Sequence, residues 1–447
     1  MPVLLAIFVF SLVIDNSCKY ITEPISGTLG ITLNEASLQA TIPGILIGIG
    51  AVVYSALADA VSIRKLLVFA IILICVGSIV GFAGQGSWPL VLTGRIVQTA
   101  GLAAAETLYV IWVTKHFTCD LQKRYLGFST AAFQLSLLLG VVGGGFIATY
   151  VAWPVLFLVA LLPLLALPAV FKTVPVEETT STGLDVLGLF LIAVVAGGII
   201  MFLQDYQWIY LAAAVLAVAL FVRHIYRDPT AVITPAFFAN KRYTFALLVV
   251  FVMYSVQLGY VVTFPVLMRA LHGMEEAQSA LLLIPGYVCA VAIGILSGAI
   301  AKVLTSHQTI LIALLTITGS LLLPAFFVDA PSIVYVLSMT LFPSGFALMY
   351  APLVSTAVRG IAPEKMGVAI GFYNLTINMA IPIGIAFTFQ LIARQLGFMA
   401  PFASEAGTPF ASVIMILGLT GVAATVMYLA FSRVMHRDLA VERDPVS

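Results

Sequence analysis

Apolar runs follow one another along this chain with only short polar breaks between them. Each is about 20 residues long, enough to cross a bilayer as a helix. No other feature constrains the fold as tightly. Backbone amides cannot stay unpaired in hydrocarbon, so each run must satisfy its own hydrogen bonds, and a helix does so. A barrel would need short strands of alternating polarity, and none is visible. Fourteen spans are expected, at 2–25, 37–58, 66–84, 88–114, 124–149, 152–171, 184–203, 207–226, 243–268, 278–303, 308–328, 331–357, 367–394 and 409–433. Only 9% of the 447 residues are charged, against roughly 25% in a soluble domain. The expected class is an all-α integral membrane protein. The first span is not read as a cleaved signal, because it lacks a basic leader and carries Asp15, Lys19 and Glu23.

With both termini placed in the cytoplasm, the basic residues sort by side. Only Arg269 and Arg394 fall outside, Lys19 and Arg95 lie within spans, and every other Lys and Arg falls inside. Cytoplasmic enrichment of Lys and Arg is the usual topology signal. The expected location is the cell membrane, with a multi-pass, monomeric chain. The longest cytoplasmic connections, 172–183 and 227–242, bracket spans seven and eight. They divide the chain into an N-terminal six-helix bundle (1–175), a two-helix insert (176–230) and a C-terminal six-helix bundle (231–447). Membrane transporters are often built from such halves, with the site between them. Four GxxxG patterns (Gly44/Gly48, Gly140/Gly144, Gly294/Gly298, Gly367/Gly371) mark faces where helices can approach closely. They suit either plain packing or an interface on which halves rock. The four cysteines show neither metal spacing nor a disulfide framework.

Five formal charges lie within the first and fourth spans: Asp15, Lys19, Glu23, Arg95 and Glu106. A charge at membrane depth is costly and rarely without a partner or a task. Three acids against two bases leave one negative charge over, which invites a proton or a cation. Asp15, Lys19 and Glu23 are spaced at four, so one helix face would carry all three. Arg95 and Glu106 also share a face, about 16 Å apart along the axis. One reading is a salt-bridge ladder, Asp15 with Lys19 and Glu23 with Arg95. It leaves Glu106 alone, and an unpaired carboxyl in a dry bundle holds a proton until a cation arrives. Asp15 and Glu106 are therefore the proton-coupling candidates, with Lys19, Glu23 and Arg95 as the charge network around them.

The second half carries no acid or base at span depth. Its candidates are Tyr254, Gln257, Tyr260 and Phe264 on span nine, Tyr350 on span twelve, and Tyr373, Asn374 and Asn378 on span thirteen. Gln257, Tyr260 and Phe264 follow three-four spacing. Such a wall is either core packing or a surface for flat lipophilic cations. No phosphate-binding glycine loop, metal-ligand cluster or hydrolase motif appears. No cofactor, metal, nucleic acid or enzymatic chemistry is expected.

Several segments carry a family resemblance. LADAVSIRKL at Leu57–Leu66 resembles the cytoplasmic GxLaDrxGrkk signature of the major facilitator superfamily, with Asp59, Arg64 and Lys65 matching and Ser55 where glycine is preferred. LTGRIVQTAGLAAAE resembles the lxxxRxxQGxGaa motif through Arg95, Gln98 and Gly101, with Thr99 replacing a glycine. GVVGGGFI is similar to the antiporter motif GPxxGG, with Val141 for proline. VIDNSCKYITEP resembles the LDxtivnvaLP motif of fourteen-span drug:H+ antiporters through Asp15 and Pro24. RGIAPEKMGVAIGFYN adds weaker support in the second half. The resemblance implies a major facilitator fold, spans one and four side by side along a central cavity, and a gating loop at Asp59, Arg64 and Lys65. It also implies efflux of lipophilic, cationic small molecules in exchange for protons, by alternating access across the lipid bilayer. Lys19, Glu23 and Glu106 depart from the family pattern. Import or facilitation of a polar metabolite, a lipid flippase and a non-transporting scaffold stay open as alternatives.

Overall fold

The computed structural model describes residues 2–116, 119–175, 185–228, 240–359, 361 and 363–435. Some side chains within its helices, Asp59 and Glu106 among them, lie outside the described residues. Every regular element described is helical. The helices are α1 (Pro2–Tyr20), α2 (Thr22–Leu29), α3 (Leu33–Ala60), α4 (Ile63–Ala83), α5 (Trp88–His116), α6 (Cys119–Tyr150), α7 (Val155–Val159), α8 (Leu167–Thr173), α9 (Val186–Asp205) and α10 (Trp208–Arg227). There follow α11 (Lys241–His272), α12 (Glu276–Val303), α13 (Ser306–Phe326), α14 (Ser332–Val358), α15 (Pro363–Ala393) and α16 (Thr408–Met435). Among the described residues, 12 helical segments are long and apolar enough to cross a membrane. That count falls short of the fourteen expected. Helices α3 and α6 stand outside it; both include undescribed side chains, and α6 enters only through its shorter apolar stretch Leu135–Tyr150.

Local chemistry explains where the helices stop. Thr32 and Thr305 open α3 and α13 with reciprocal capping boxes to Glu35 and Gln308. Gly30 and Gly273 close α2 and α11 with φ of 64° and 63°, where a side chain would be strained. Two expected spans are not continuous. The sixth is split into α7, a 3-10 turn at Leu162–Ala166 and α8. Pro154, Pro163 and Pro168 each withhold a backbone donor there. The first breaks at Ile21, between α1 and α2. Pro24 has no N–H to offer the Tyr20 carbonyl, so the α1 ladder cannot run on. Side chains satisfy the carbonyls just before the break: Gln39 Nε2 donates to Cys18 O at 2.7 Å and Thr22 Oγ1 donates to Lys19 O at 3.0 Å.

Glycines set how closely the helices approach. In the first set, α4 lies against α5 so tightly that a Cβ on Gly77 would fall 2.2 Å from Gln98 N. Gly140 and Gly144 let α6 onto α1 at Asn16 and Ser17. Two seams join this set to the helices that follow α10. Along one, α3 meets α15, and a Cβ on Gly48 would lie 2.9 Å from Asn378 Cβ. Along the other, α6 meets α12, where a Cβ on Gly145 would approach Ala280 and Glu276 O to 2.9 Å. Helix α9 packs on α10 and also into the α3–α15 seam, through Ala196 and Ile200 against Ile45, Leu375 and Met379. The GxxxG patterns therefore divide. Gly44/Gly48 faces across a seam, Gly140/Gly144 packs within the first set, and a Cβ on Gly294 or Gly298 would meet nothing within 4 Å among the described residues. The side chains at 367 and 371 are not described.

Candidate functional site

The site begins in the C-terminal third of α1. Asp15 is 2% exposed and sits between two cations. The Lys19 ammonium, one turn further along α1, pairs with Asp15 Oδ2. Arg95 on α5 donates from Nη2 to Asp15 Oδ1 at 3.1 Å. Arg95 is only 1% exposed, and its Nη1 donates to Gln98 Oε1 one turn along α5. Gln98 Nε2 donates to Ser78 Oγ at 3.0 Å, and Ser78 Oγ donates to Ile74 O at 2.6 Å. A hydrogen-bonded line thus runs from α1 through α5 to α4. Arg95 Nε has no partner among the described residues. Burying a guanidinium this deeply is tolerated only with charge-assisted partners.

The expected ladder forms only in part. Asp15 pairs with Lys19, but Arg95 pairs with Asp15 rather than with Glu23. Glu23 instead binds Arg269 of α11 with both oxygens, at 2.7 and 2.6 Å from Nη1. The break at Ile21 is the physical reason: it ends the continuous face that four-residue spacing assumes. With Glu23 neutralised elsewhere, Asp15, Lys19 and Arg95 are one acid and two bases, a formal sum of +1 rather than a surplus acid. The Glu106 side chain, the other proton-coupling candidate, lies outside the described residues.

Lys19, Asn16 and Tyr20 form one wall of a cavity of about 10 Å³, room for at most a single water. The other walls are apolar: Leu137 and Val141 of α6, and Leu258, Val261 and Val262 of α11. This gap lies where α1 and α6 face α11. The face of α11 turned to it is not the one the aromatic spacing suggested. Tyr260 and Phe264 are fully buried against α14: Tyr260 and Ser338 hydroxyls bond at 2.9 Å, the Tyr260 ring lies edge-on to Phe342, and Phe264 lies edge-on to Tyr335. They are core residues in this structure. Gln257, also buried, immediately precedes the cavity-lining Leu258.

The remaining candidates do gather. Tyr254 lies edge-on to Phe346 at 5.2 Å, and Tyr350 lies edge-on to Tyr373 at 6.2 Å. Tyr350 Oη donates to Asn374 Oδ1 at 3.2 Å, and Asn378 Nδ2 donates to Asn374 O at 3.0 Å. The Tyr373 hydroxyl is buried with no hydrogen-bond partner among the described residues. At the loop after α3, Arg64 Nη1 reaches Phe171 O at 3.5 Å and its guanidinium lies 5.4 Å from the Phe171 ring. Arg64 thus holds α4 to α8 within the first set, while Lys65 is exposed and the Asp59 side chain is not described.

Several residues absent from the sequence-based set close one end of the assembly. The Tyr20 and Ser279 hydroxyls bond at 3.0 Å between α1 and α12. Ala277 N donates to Thr149 Oγ1 at 3.0 Å between α12 and α6. Arg269, besides holding Glu23, donates to Glu276 Oε1 at 3.1 Å. Pro24 was the available signal that Glu23 would leave the α1 face. Nothing in the local pattern of Glu276 pointed to Glu23, because the two are joined only by tertiary packing.

Comparison with known proteins agrees with this architecture. The chain is 26% identical over 436 residues to the drug efflux pump JefA of Mycobacterium tuberculosis, covering 92% of this chain and 84% of that protein. It is 23% identical over 380 residues to the multidrug resistance protein Stp of the same species, covering 81% of this chain and 70% of that one. A crystal structure of a D-xylose-proton symporter superposes with a TM-score of 0.67 at 17% identity, over 96% of each chain; at that identity the likeness is one of fold. The sequence model of the Major Facilitator Superfamily matches residues 3–385. A multi-pass helical membrane protein built on this fold, and matched by the family over most of its length, is a transporter of the Major Facilitator Superfamily, the family to which this chain belongs.

Proposed function

We propose that this chain is a proton-coupled exporter of lipophilic, cationic small molecules. It works by alternating access, with residues 1–175 and 231–447 as the rocking bundles and 176–230 as a two-helix insert. Fourteen spans, cytoplasmic termini and a cell-membrane location fit the one-sided distribution of Lys and Arg. The end that carries Glu23 and Arg269 then faces outward. The relatives named for drug efflux support the direction of transport.

One observation carries this reading: a carboxylate, Asp15, is buried between Lys19 and Arg95 beside a gap whose far walls, on α6 and α11, are apolar. Ionised, Asp15 offsets one of its two cations. Protonated, it leaves both cations without that counter-charge, and the formal sum of the trio rises from +1 to +2, so a cationic cargo nearby is repelled more strongly. Proton and cargo thus exclude each other through the field of the site, without competing for one atom. Lys19 is freed when Asp15 takes the proton, and its four-carbon stem can carry the ammonium along the cavity wall. Leu137, Val141, Leu258 and Val261 supply the surface for the lipophilic part of the cargo.

Purified protein in liposomes under an imposed pH gradient tests this. Ethidium movement and lumen pH would be followed together, for wild type and for Asp15→Asn. Drug-driven proton flux in wild type that disappears in Asp15→Asn supports the proposal. Ethidium transport in wild type with no accompanying proton movement rejects it. A second reading, proton-coupled uptake of a polar solute, draws on the polar wall of Asn16 and Lys19 and on the fold shared with a sugar symporter. Proton-driven accumulation of such a solute in place of ethidium export would favour it.

A further inference from the structure

At the end of the assembly where α2, α11 and α12 meet, two carboxyl groups share one guanidinium. Glu23 comes from the first set of helices, Glu276 and Arg269 from the second. Arg269 Nη1 lies 2.6 Å from Glu23 Oε2 and 3.1 Å from Glu276 Oε1. Both carboxyls bear on the same guanidinium nitrogen, so when both are ionised two negative charges crowd against one positive charge, and a single proton removes the excess. The cluster is graded in exposure. The Arg269 side chain is 48% exposed, that of Glu23 20% and that of Glu276 7%. Protons from the adjacent water therefore reach it without passing through the membrane core.

The neighbouring groups do not supply the missing charge. On α1, Lys19 is committed to Asp15, and Tyr20 offers a hydroxyl already bonded to Ser279. On α6, Thr149 is neutral and accepts from Ala277 N. On α11, the His272 ring lies edge-on to Tyr335. At the N-cap of α12, Glu275 adds a further acid near Arg269. Closing this end thus brings Glu23 to Glu276 with a single guanidinium for both, in a setting that already leans negative.

We propose that this contact is a proton-operated latch: the seam closes at the Glu23 end when Glu23 and Glu276 share one proton, and opens when that proton leaves. No bond other than O–H is made or broken; the proton comes from the water on that side. The latch rests on the proposed export cycle for its place in transport. There, protons arriving from outside would permit the closure that returns the carrier to its inward-facing form. The site is separate from Asp15, so each can fail alone.

The test is a distance measurement. Cys18, Cys75, Cys119 and Cys289 are replaced by Ser, and spin labels are placed at Gln85→Cys and Ala406→Cys, on exposed loops of the two sets at the same end. Double electron–electron resonance in liposomes then reads the separation in mildly acidic and mildly alkaline buffer. The expected result is a shift of the population to the short distance on acidification. Glu276→Gln, a neutral donor of the same shape, should be closed at both pH values, and Glu23→Gln should behave alike. His272→Gln should keep the wild-type response. A wild-type distribution that ignores pH, or a full response surviving in both Gln variants, overturns the proposal, and so does a response that vanishes only with His272→Gln. Drug-driven proton flux is measured on the same preparations. Flux present with a pH-blind latch rejects the latch alone; a pH-dependent latch without flux rejects the export reading alone.

Discussion

The first set of helices and the second solve opposite problems. In the first, three charges lie deep among α1 and α5, and each of Asp15, Lys19 and Arg95 has an ionic partner. In the second, the comparable depth of α11, α14 and α15 is occupied by Tyr254, Tyr350, Tyr373, Asn374 and Asn378, with no charged side chain among them. An ion in a low-dielectric interior must be paired or neutralised, so changing its charge rearranges its surroundings. A tyrosine or asparagine can lose or gain a neutral hydrogen bond for about 1 kcal/mol. The first region is therefore suited to respond to a proton, and the second to adapt to cargo of varied shape.

The sharpest way to break that contrast is Asp15→Asn. Removing one partner of a buried pair costs about 3–5 kcal/mol, and here it leaves two cations facing a neutral amide. Both thermal stability and drug-driven proton flux should fall, and Asp15→Asn combined with Lys19→Met should recover part of the stability but none of the flux. Equal stability of single and double variants in a melting assay would mean that Lys19 and Asp15 are not energetically coupled. Arg95→Met comes next. It strands the Gln98–Ser78 line but leaves Asp15 with Lys19, so the stability loss should be smaller than for Asp15→Asn, and a larger one would make Arg95 the anchor of the network.

Smaller effects separate the seam from the lipid face. Gly48→Ala places a methyl 2.9 Å from Asn378 Cβ and should slow transport while the protein still folds. Gly294→Ala meets nothing within 4 Å among the described residues and should leave transport rates alone, with a stability gain of up to about 1 kcal/mol from helix propensity. Matching losses in both would remove the distinction. The smallest change is expected from Tyr373→Phe, which deletes a buried hydroxyl with no hydrogen-bond partner among the described residues. Stability should hold or rise by about 1 kcal/mol. A selective loss of transport for one cargo and not another would identify that hydroxyl as a contact to substrate.

Much of the architecture was legible before any coordinates. The ends of most spans fall within a few residues of the observed helices, as with 88–114 against Trp88–His116 and 409–433 against Thr408–Met435. Hydrocarbon leaves few options for such segments, and capping residues such as Thr32 and Thr305 mark where they start. The site was legible only as a set of charges. Spacing at four predicted that Glu23 would continue the Asp15–Lys19 face, and Pro24 defeated that by withdrawing one backbone donor. Helical spacing put Tyr260 and Phe264 on one face, readable as core packing or as a binding wall, and in the structure they pack against Ser338, Phe342 and Tyr335.

Periodicity reports which residues share a face of a helix; it carries no information about what that face will meet. The sequence by itself determined that this chain is a helical membrane protein of the Major Facilitator Superfamily, and which few side chains bring charge into its interior. The helical membrane class follows from transfer energies, which each segment obeys separately, and the family from its resemblance at motif residues such as Asp59, Arg95 and Gln98. Tertiary structure alone decided that Arg95 answers Asp15 and that Arg269 answers Glu23. Those choices depend on distances between helices far apart in sequence, set by glycine contacts and by a single proline-induced break.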